Sequence, residues 1–218
     1  MSPDKYYAPA VIDHLSNTNI LCAEFVDGVE IDTLVNESQE LRDRIGTLML
    51  ELTLRELFEF KVMQTDPNPA NYLYNKEHDR MNLLDFGASR EFSSFFLENY
   101  AEIIHGAYTD DKEKIMEHSH TLKFLTGEEN REMLTAHHAG VLVLGEPFRK
   151  EGLYDFGALG FIQKVRHLLP TLSKHRLTPP PEEVYSLNKK IVGTYMTCIK
   201  LRSRVPAQRL FEEAYQRY

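Results

Sequence analysis

The stretch Gln64–Glu91, QTDPNPANYLYNKEHDRMNLLDFGASRE, decides how this chain is read. Asp66 is followed five residues later by Asn71, and Asp85-Phe86-Gly87 begins fourteen residues after that. Pro67 and Pro69 cannot continue a helix, so Asp66 falls on a loop. YLY, a polar turn over residues 75–79, and MNLL then read as two short strands joined by a turn. A hairpin returns the chain beside its start and brings Asn71 and Asp85 to the same edge. Two hard oxygen ligands there can hold Mg²⁺ against nucleotide phosphates, the usual way that ion is bound. Asp66, on the preceding loop, is placed to orient or deprotonate an attacking hydroxyl or water.

Upstream, residues 20–26, ILCAEFV, form an apolar run ending at Asp27-Gly28 and predict a strand followed by a turn. Asn36 and Ser38 offer cap groups for a long helix over about 38–62. Leu41, Ile45, Leu48, Met49 and Leu52 give its first half a helical stripe. Its second half, LTLRELFEFKVM, is apolar nearly all round and predicts burial on most sides. Downstream of Ser93 the pattern is helical, with candidate helices at 93–108, 111–124, 128–144, 158–174, 182–203 and 207–217. Gly127, the stretch 146–152 and Pro179–Pro181 punctuate them, with Pro181 at a first-turn position. The expected fold is mainly α with a small β-hairpin.

Composition narrows the function. With 25 Lys and Arg against 33 Asp and Glu, the net charge of −8 argues against a nucleic-acid binder. At 42% hydrophobic and 27% charged residues the chain is globular in composition. Two cysteines, Cys22 and Cys198, make no disulfide framework, so a reducing compartment is expected. No apolar run approaches the ~18 residues of a spanning helix. The first ten residues carry neither a signal peptide nor a transit pattern.

Asp66 and Asn71 match the D-x-x-x-x-N half of a protein-kinase catalytic loop, and Asp85-Phe86-Gly87 matches its magnesium-binding DFG. A second copy, Asp155-Phe156-Gly157, is set aside because no β-type run precedes it and no D-x-x-x-x-N lies at hairpin distance upstream. Together with LTLRELFEFKVM, KFLTG and RLTPPPEE-YSL, the stretches QTDPNPANYLY and LLDFGASREF resemble the UbiB/ADCK atypical kinase-like family over nearly the whole chain. Within that family the resemblance is to the mitochondrial branch that supports ubiquinone (coenzyme Q) biosynthesis. It implies a protein-kinase-like C-terminal lobe binding ATP or ADP with Mg²⁺. Asp66 is then catalytic, Asn71 and Asp85 are the metal ligands, and ILCAEFVDG is the hinge, with backbone near Glu24, Phe25 and Val26 facing adenine. It also implies contacts with ubiquinone-biosynthesis proteins, isoprenoid-lipid intermediates and a membrane surface, at the matrix side of the mitochondrial inner membrane.

Departures from ordinary kinases are readable too. Gln64 and Thr65 stand where a kinase carries His and Arg, and Thr65 has no charge to pair with an activation-loop phosphate. Asn68 replaces the lysine usual two residues after the aspartate, which removes a transition-state cation. About six residues separate Gly87 from the next helix and no A-P-E follows, so a peptide platform is missing. These losses favour ATP hydrolysis or small-molecule phosphorylation over work on proteins. Before Asp66 the chain has two glycines, Gly28 and Gly46, and two lysines, Lys5 and Lys61, none suited to a phosphate loop or a strand lysine. The expectation is an N-terminally truncated chain holding half of an ATP site: residues 1–35 as hinge region, 36–63 as the buried helix, 64–91 as catalytic loop, hairpin and DFG, and 92–218 as the helical remainder.

Two other classes remain open at this level: a non-catalytic helical interaction module or pseudokinase remnant, and a conventional protein kinase. His118 and His120, and likewise His137 and His138, diverge around their helices and predict no shared metal. Lys189, Lys190, Lys200, Arg202, Arg204 and Arg209 read as solvated faces, with a membrane or partner patch as the alternative. Phe92, Phe95, Phe96 and Tyr100 read as core, with a lipid-facing groove as the family-derived alternative.

Overall fold

Ser38 opens the helix that organises the molecule, its hydroxyl accepting the Leu41 N–H at 3.3 Å. The helix α1, Gln39–Arg55, widens into a π-helical turn over Glu56–Phe60 and stops at Lys61, whose φ of 58° is left-handed. The computed structural model describes residues 5–217 apart from 159, 178 and 180. α1 is buried on two sides, as its all-round apolar second half requires. Leu48, Met49 and Leu52 enter one cluster with Tyr72, Tyr74 and Met81, while Leu50 and Leu54 enter a larger one with the C-terminal helices. Each such leucine contributes roughly 1.5–3 kcal/mol on burial.

The first cluster lies beneath a small sheet in the order β1-β5-β4-β2. Its centre is the expected hairpin, β4 (Tyr72–Asn75) antiparallel to β5 (Arg80–Leu83), with Tyr72 opposite Leu83 and Asn75 opposite Arg80. β1 (Tyr6–Tyr7) adds parallel to β5, and β2 (Val29–Glu30) antiparallel to β4. A separate pair, β3 (Val62–Gln64) with β6 (Ser89–Glu91), sets Gln64 opposite Ser89. The chain leaving Asp85-Phe86-Gly87 therefore returns against the chain entering Asp66.

The strand expected over residues 20–26 does not form. That segment is an arm held by single bridges, Val11 to Ala23 and Asn17 to Ile20, and its Leu21 and Phe25 are 76% and 90% exposed. No described strand lies alongside it to complete a ladder, so its apolar pattern has no sheet to join.

The helical remainder follows the sequence closely: α2 (Ser94–Thr109), α3 (Lys112–Thr121), α4 (Arg131–Arg149), α5 (Gly160–His175), α6 (Glu182–Leu201) and α7 (Ala207–Arg217). α4 runs on past the expected stop, carrying Pro147 inside it. A Cβ on Gly145 would sit 2.5 Å from the Ala107 Cβ, so only glycine lets α4 cross α2 this closely. Phe92, Phe96 and Tyr100 are core, but Phe95 is 60% exposed, because it sits about 100° around α2 from Phe96 and so falls on the outer face. Pro181 is the N-cap residue of α6, one position before the first turn expected for it, and makes no side-chain cap bond; Pro180 lies outside the described residues.

β7 (Tyr154–Asp155) pairs with β8 (Arg204–Val205), so a short strand does precede the second DFG, contrary to expectation. Asp155 accepts the Gly157 N–H at 2.8 Å, the same turn that Asp85 makes with Gly87 at 2.7 Å. What separates the copies is their surroundings: Phe156 is fully buried, whereas Phe86 is half exposed.

Among the histidines, His118 bonds to Asn99 and His137 to Ser119. His137 is buried, and burial pushes its pKa down to about 4, helped by Arg176, His120 and His138 and opposed by Glu129. Its unfolded value is about 6.5, so its contribution is complete above that pH and is lost as pH falls toward 4, a cost of about 3 kcal/mol. His137→Gln keeps a partner for Ser119 and does not titrate. Urea unfolding at neutral and acid pH is expected to show a shallower acid loss in that variant. An unchanged acid limb would exclude His137 as its source.

Candidate nucleotide site

The loop after β3 is built by its own side chains. Gln64 Nε2 donates to the Asp85 carbonyl at 3.1 Å, while its Oε1 accepts the Asp66 N–H. One amide thus joins the backbone of Asp66 to that of Asp85. Thr65 donates twice to the Ala88 carbonyl, through its N–H at 3.1 Å and its hydroxyl at 2.8 Å. Asn68 caps the short helical turn Pro69–Asn71, its Oδ1 accepting the Ala70 N–H at 3.2 Å. Asn71 then donates from Nδ2 to Asp66 Oδ2 at 3.3 Å, and its carbonyl accepts the Leu84 N–H at 3.0 Å. Asp66 and Asn71 therefore touch, and Asn71 is tied to the residue before Asp85.

This arrangement determines which oxygens are free. With its amide nitrogen on Asp66, Asn71 keeps Oδ1 as an open acceptor. With Oδ1 on the Gly87 N–H, Asp85 keeps Oδ2 open. Both are hard donors of the kind Mg²⁺ takes, with substrate phosphates and water completing its shell. Among the described residues no group of three or more His, Cys, Asp or Glu could cage a metal by itself.

Several functional candidates escaped the sequence reading. Lys189 reaches Asp66 Oδ1 at 3.5 Å. Lys190, expected on a solvated face, is 1% exposed; its Nζ donates to the Gln64 carbonyl and the Tyr72 hydroxyl at 2.8 Å each and lies 3.0 Å from Glu56 Oε2. The other basic residues do lie outward: Lys200 pairs with Asp32, Arg204 with Asp43 and Arg209 with Glu213. Burial raises the pKa of Glu56 despite the lysine; Lys190 is lowered by its own burial, yet the attraction of Glu56 and Tyr72 outweighs this and holds it above the usual range.

Glu24, Phe25 and Val26 lie apart from Asp66, beside the far end of the hairpin, where Tyr7, Asn75 and Arg80 share with them an open depression of about 400 Å³. The Glu24 carboxylate is engaged by the Tyr7 hydroxyl and the Ala10 N–H, which hold its pKa below the usual range. Of the polar groups at 24–26, the backbone is therefore what stays open. Among the described residues the Glu24 carbonyl and Val26 N–H have no hydrogen-bond partner.

A hairpin bearing D-x-x-x-x-N and DFG at one edge, packed on a largely helical body, belongs to the kinase-like class. The family comparison is specific: the ABC1 atypical kinase-like domain matches residues 1–119. The chain belongs to that family, the UbiB/ADCK atypical kinases. It is 42% identical over its whole length to rat "Atypical kinase COQ8B, mitochondrial", of which it spans 42%. To "Atypical kinase COQ8, mitochondrial" of Saccharomyces cerevisiae it is 37% identical over 96% of its length, again spanning 42% of the relative. To the Dictyostelium discoideum "Probable serine/threonine-protein kinase abkA" it is 44% identical, spanning 38%. The chain thus covers less than half the length of these relatives. In fold it is similar to Rv3197 of Mycobacterium tuberculosis, solved with erythromycin, at a TM-score of 0.70 and 21% identity over 96% of this chain and 52% of that one. Among the described residues no helix is long and apolar enough to cross a membrane.

Proposed function

We propose that this chain supplies the catalytic half of an ATP site in an atypical kinase-like protein that supports ubiquinone biosynthesis in mitochondria. The observation that carries this reading is the Asn71–Asp66 bond, together with the bonds that tie Asn71 to Leu84 and Gln64 to the Asp85 backbone. Asn71 Oδ1 and the Asp85 carboxylate would hold Mg²⁺, which when bound neutralises phosphate charge. Asp66 orients or deprotonates the attacking oxygen, steadied by Asn71 on one carboxylate oxygen and Lys189 on the other. Lys189 also brings a positive charge to the place where Asn68 gives none. The Glu24 carbonyl and Val26 N–H would face the base, with Phe25 beside them.

Hydrolysis of ATP, or phosphorylation of a small molecule, fits this site better than phosphorylation of proteins, since only a short strand and turn separate Gly87 from α2. The names of the relatives support mitochondrial placement; matrix-side, membrane-surface work on isoprenoid intermediates is what the family resemblance implies.

This chain spans less than half the length of its relatives, and in this reading the phosphate-binding lysine and its loop come from a second lobe in the part it does not cover. In the two-lobed protein, with such a lobe joined upstream of this chain, the test is the fate of the γ-phosphate. Magnesium-dependent release as free phosphate, or transfer to a small hydroxyl acceptor, supports the reading; neither occurring overturns it. For the 218-residue chain alone, calorimetric titration with Mg-ATP is expected to show no binding tighter than millimolar. Micromolar affinity would show that the pocket lies elsewhere.

A further inference from the structure

We infer that α6 is the clamp of the catalytic loop, with Lys190 as its positioning residue; the inference rests on the site assigned above. The loop runs from Thr65 to Asn71. Lys190 bonds to the residue on each side of it: the Gln64 carbonyl just before, and the Tyr72 hydroxyl just after. Its third donor direction faces Glu56, on the π-helical turn that ends α1. Two donors of the ammonium are committed to these oxygens and its charge pairs with Glu56, with the lysine itself 1% exposed.

The helix also fits the loop sterically. A Cβ on Gly193 would fall 2.1 Å from the Pro67 Cβ, so α6 lies directly against the residue that follows Asp66. Lys189, one position before Lys190, reaches Asp66 itself. At its N-terminal end α6 holds Arg90 of β6 through Glu182 at 2.6 Å. The catalytic loop, the strand pair that flanks it and, through Gln64, the Asp85 backbone are thereby referred to one helix.

A positional role differs from a merely structural one in its response to an apolar replacement. A buried ion pair exchanged for apolar side chains of similar volume often leaves stability unchanged or improved. In Glu56→Leu/Lys190→Met the helix keeps its packing, but Gln64 and Tyr72 lose their common donor. Hydrogen exchange on the 218-residue chain is expected to quicken at least about tenfold at the Thr65, Asn71 and Leu84 amides, whose acceptors depend on loop geometry. The control is Thr53→Val/Thr194→Val, which removes another buried α1–α6 bond of 2.9 Å whose hydroxyls make no hydrogen bond to the loop, and it should leave those amides unchanged. In the two-lobed protein the first pair should lower kcat for ATP about a hundredfold with a much smaller change in KM.

Unchanged exchange at those three amides, or turnover that returns with stability, overturns the inference. Should the pair fail to fold, Tyr72→Phe decides: it removes one acceptor only, and severalfold faster exchange at Asn71 supports the clamp while no change refutes it. Absence of any nucleotide turnover in the unsubstituted two-lobed protein would remove the ATP reading and leave the exchange result to judge the clamp.

Discussion

Asp85→Asn in the two-lobed protein is expected to abolish magnesium-dependent nucleotide binding without disturbing the fold. The asparagine retains Oδ1, which can still accept the Gly87 N–H, and the backbone carbonyl still receives Gln64. The turn therefore survives, and what is lost is one negative charge at the open oxygen. A hard divalent ion held by only two protein ligands depends strongly on that charge. The dissociation constant for Mg-ADP should rise at least about 100-fold, or about 2.7 kcal/mol, while binding in EDTA changes little. Titration with and without magnesium, beside a circular-dichroism melt, measures both parts. An unchanged affinity would take Asp85 out of the metal site.

Lys190→Met alone carries the largest expected cost in stability. It strands Glu56 as a buried carboxylate and removes the donor from Gln64 and Tyr72. Breaking a buried pair in this way costs about 3–5 kcal/mol. The sign of the pH dependence follows from Glu56, whose folded pKa is already raised by burial and rises further without the lysine. A group with a folded value above its unfolded one gives stability below the unfolded pKa and loses it as pH rises through the folded value. The deficit of the variant should therefore be smaller in acid, where Glu56 is neutral, and full near neutrality. Urea titrations across that interval test this; a deficit under about 1 kcal/mol, or one that does not change with pH, would contradict a buried charge left unpaired.

The hairpin and its flanking D-x-x-x-x-N and DFG could be read from sequence because their spacing is local. Four-residue strands and a polar turn fix the register, and the register fixes which residues meet. The helices were legible for the same reason, since their periodicity is local and α1 to α4 each open on a side-chain cap. Lys190 was not. Its partner Gln64 lies 126 residues away, and in sequence a lysine beside another lysine reads as surface. The role of Gln64 escaped as well, since the amide that joins Asp66 to Asp85 acts on backbone groups rather than on matching side chains. β3 and β6 are three residues each, too short for alternation to register, yet they bracket the site. The apolar run 20–26 misled in the opposite sense: its composition is that of a strand, but no described strand lies beside it.

The two-lobed protein bound to Mg²⁺ and a non-hydrolysable ATP analogue offers the most direct test, in a crystal structure. The account predicts the ion about 2.0–2.1 Å from both Asn71 Oδ1 and an Asp85 carboxylate oxygen, with the γ-phosphate facing Asp66. An ion bound elsewhere, or a nucleotide seated with Asn71 and Asp85 pointing away from its phosphates, would contradict it.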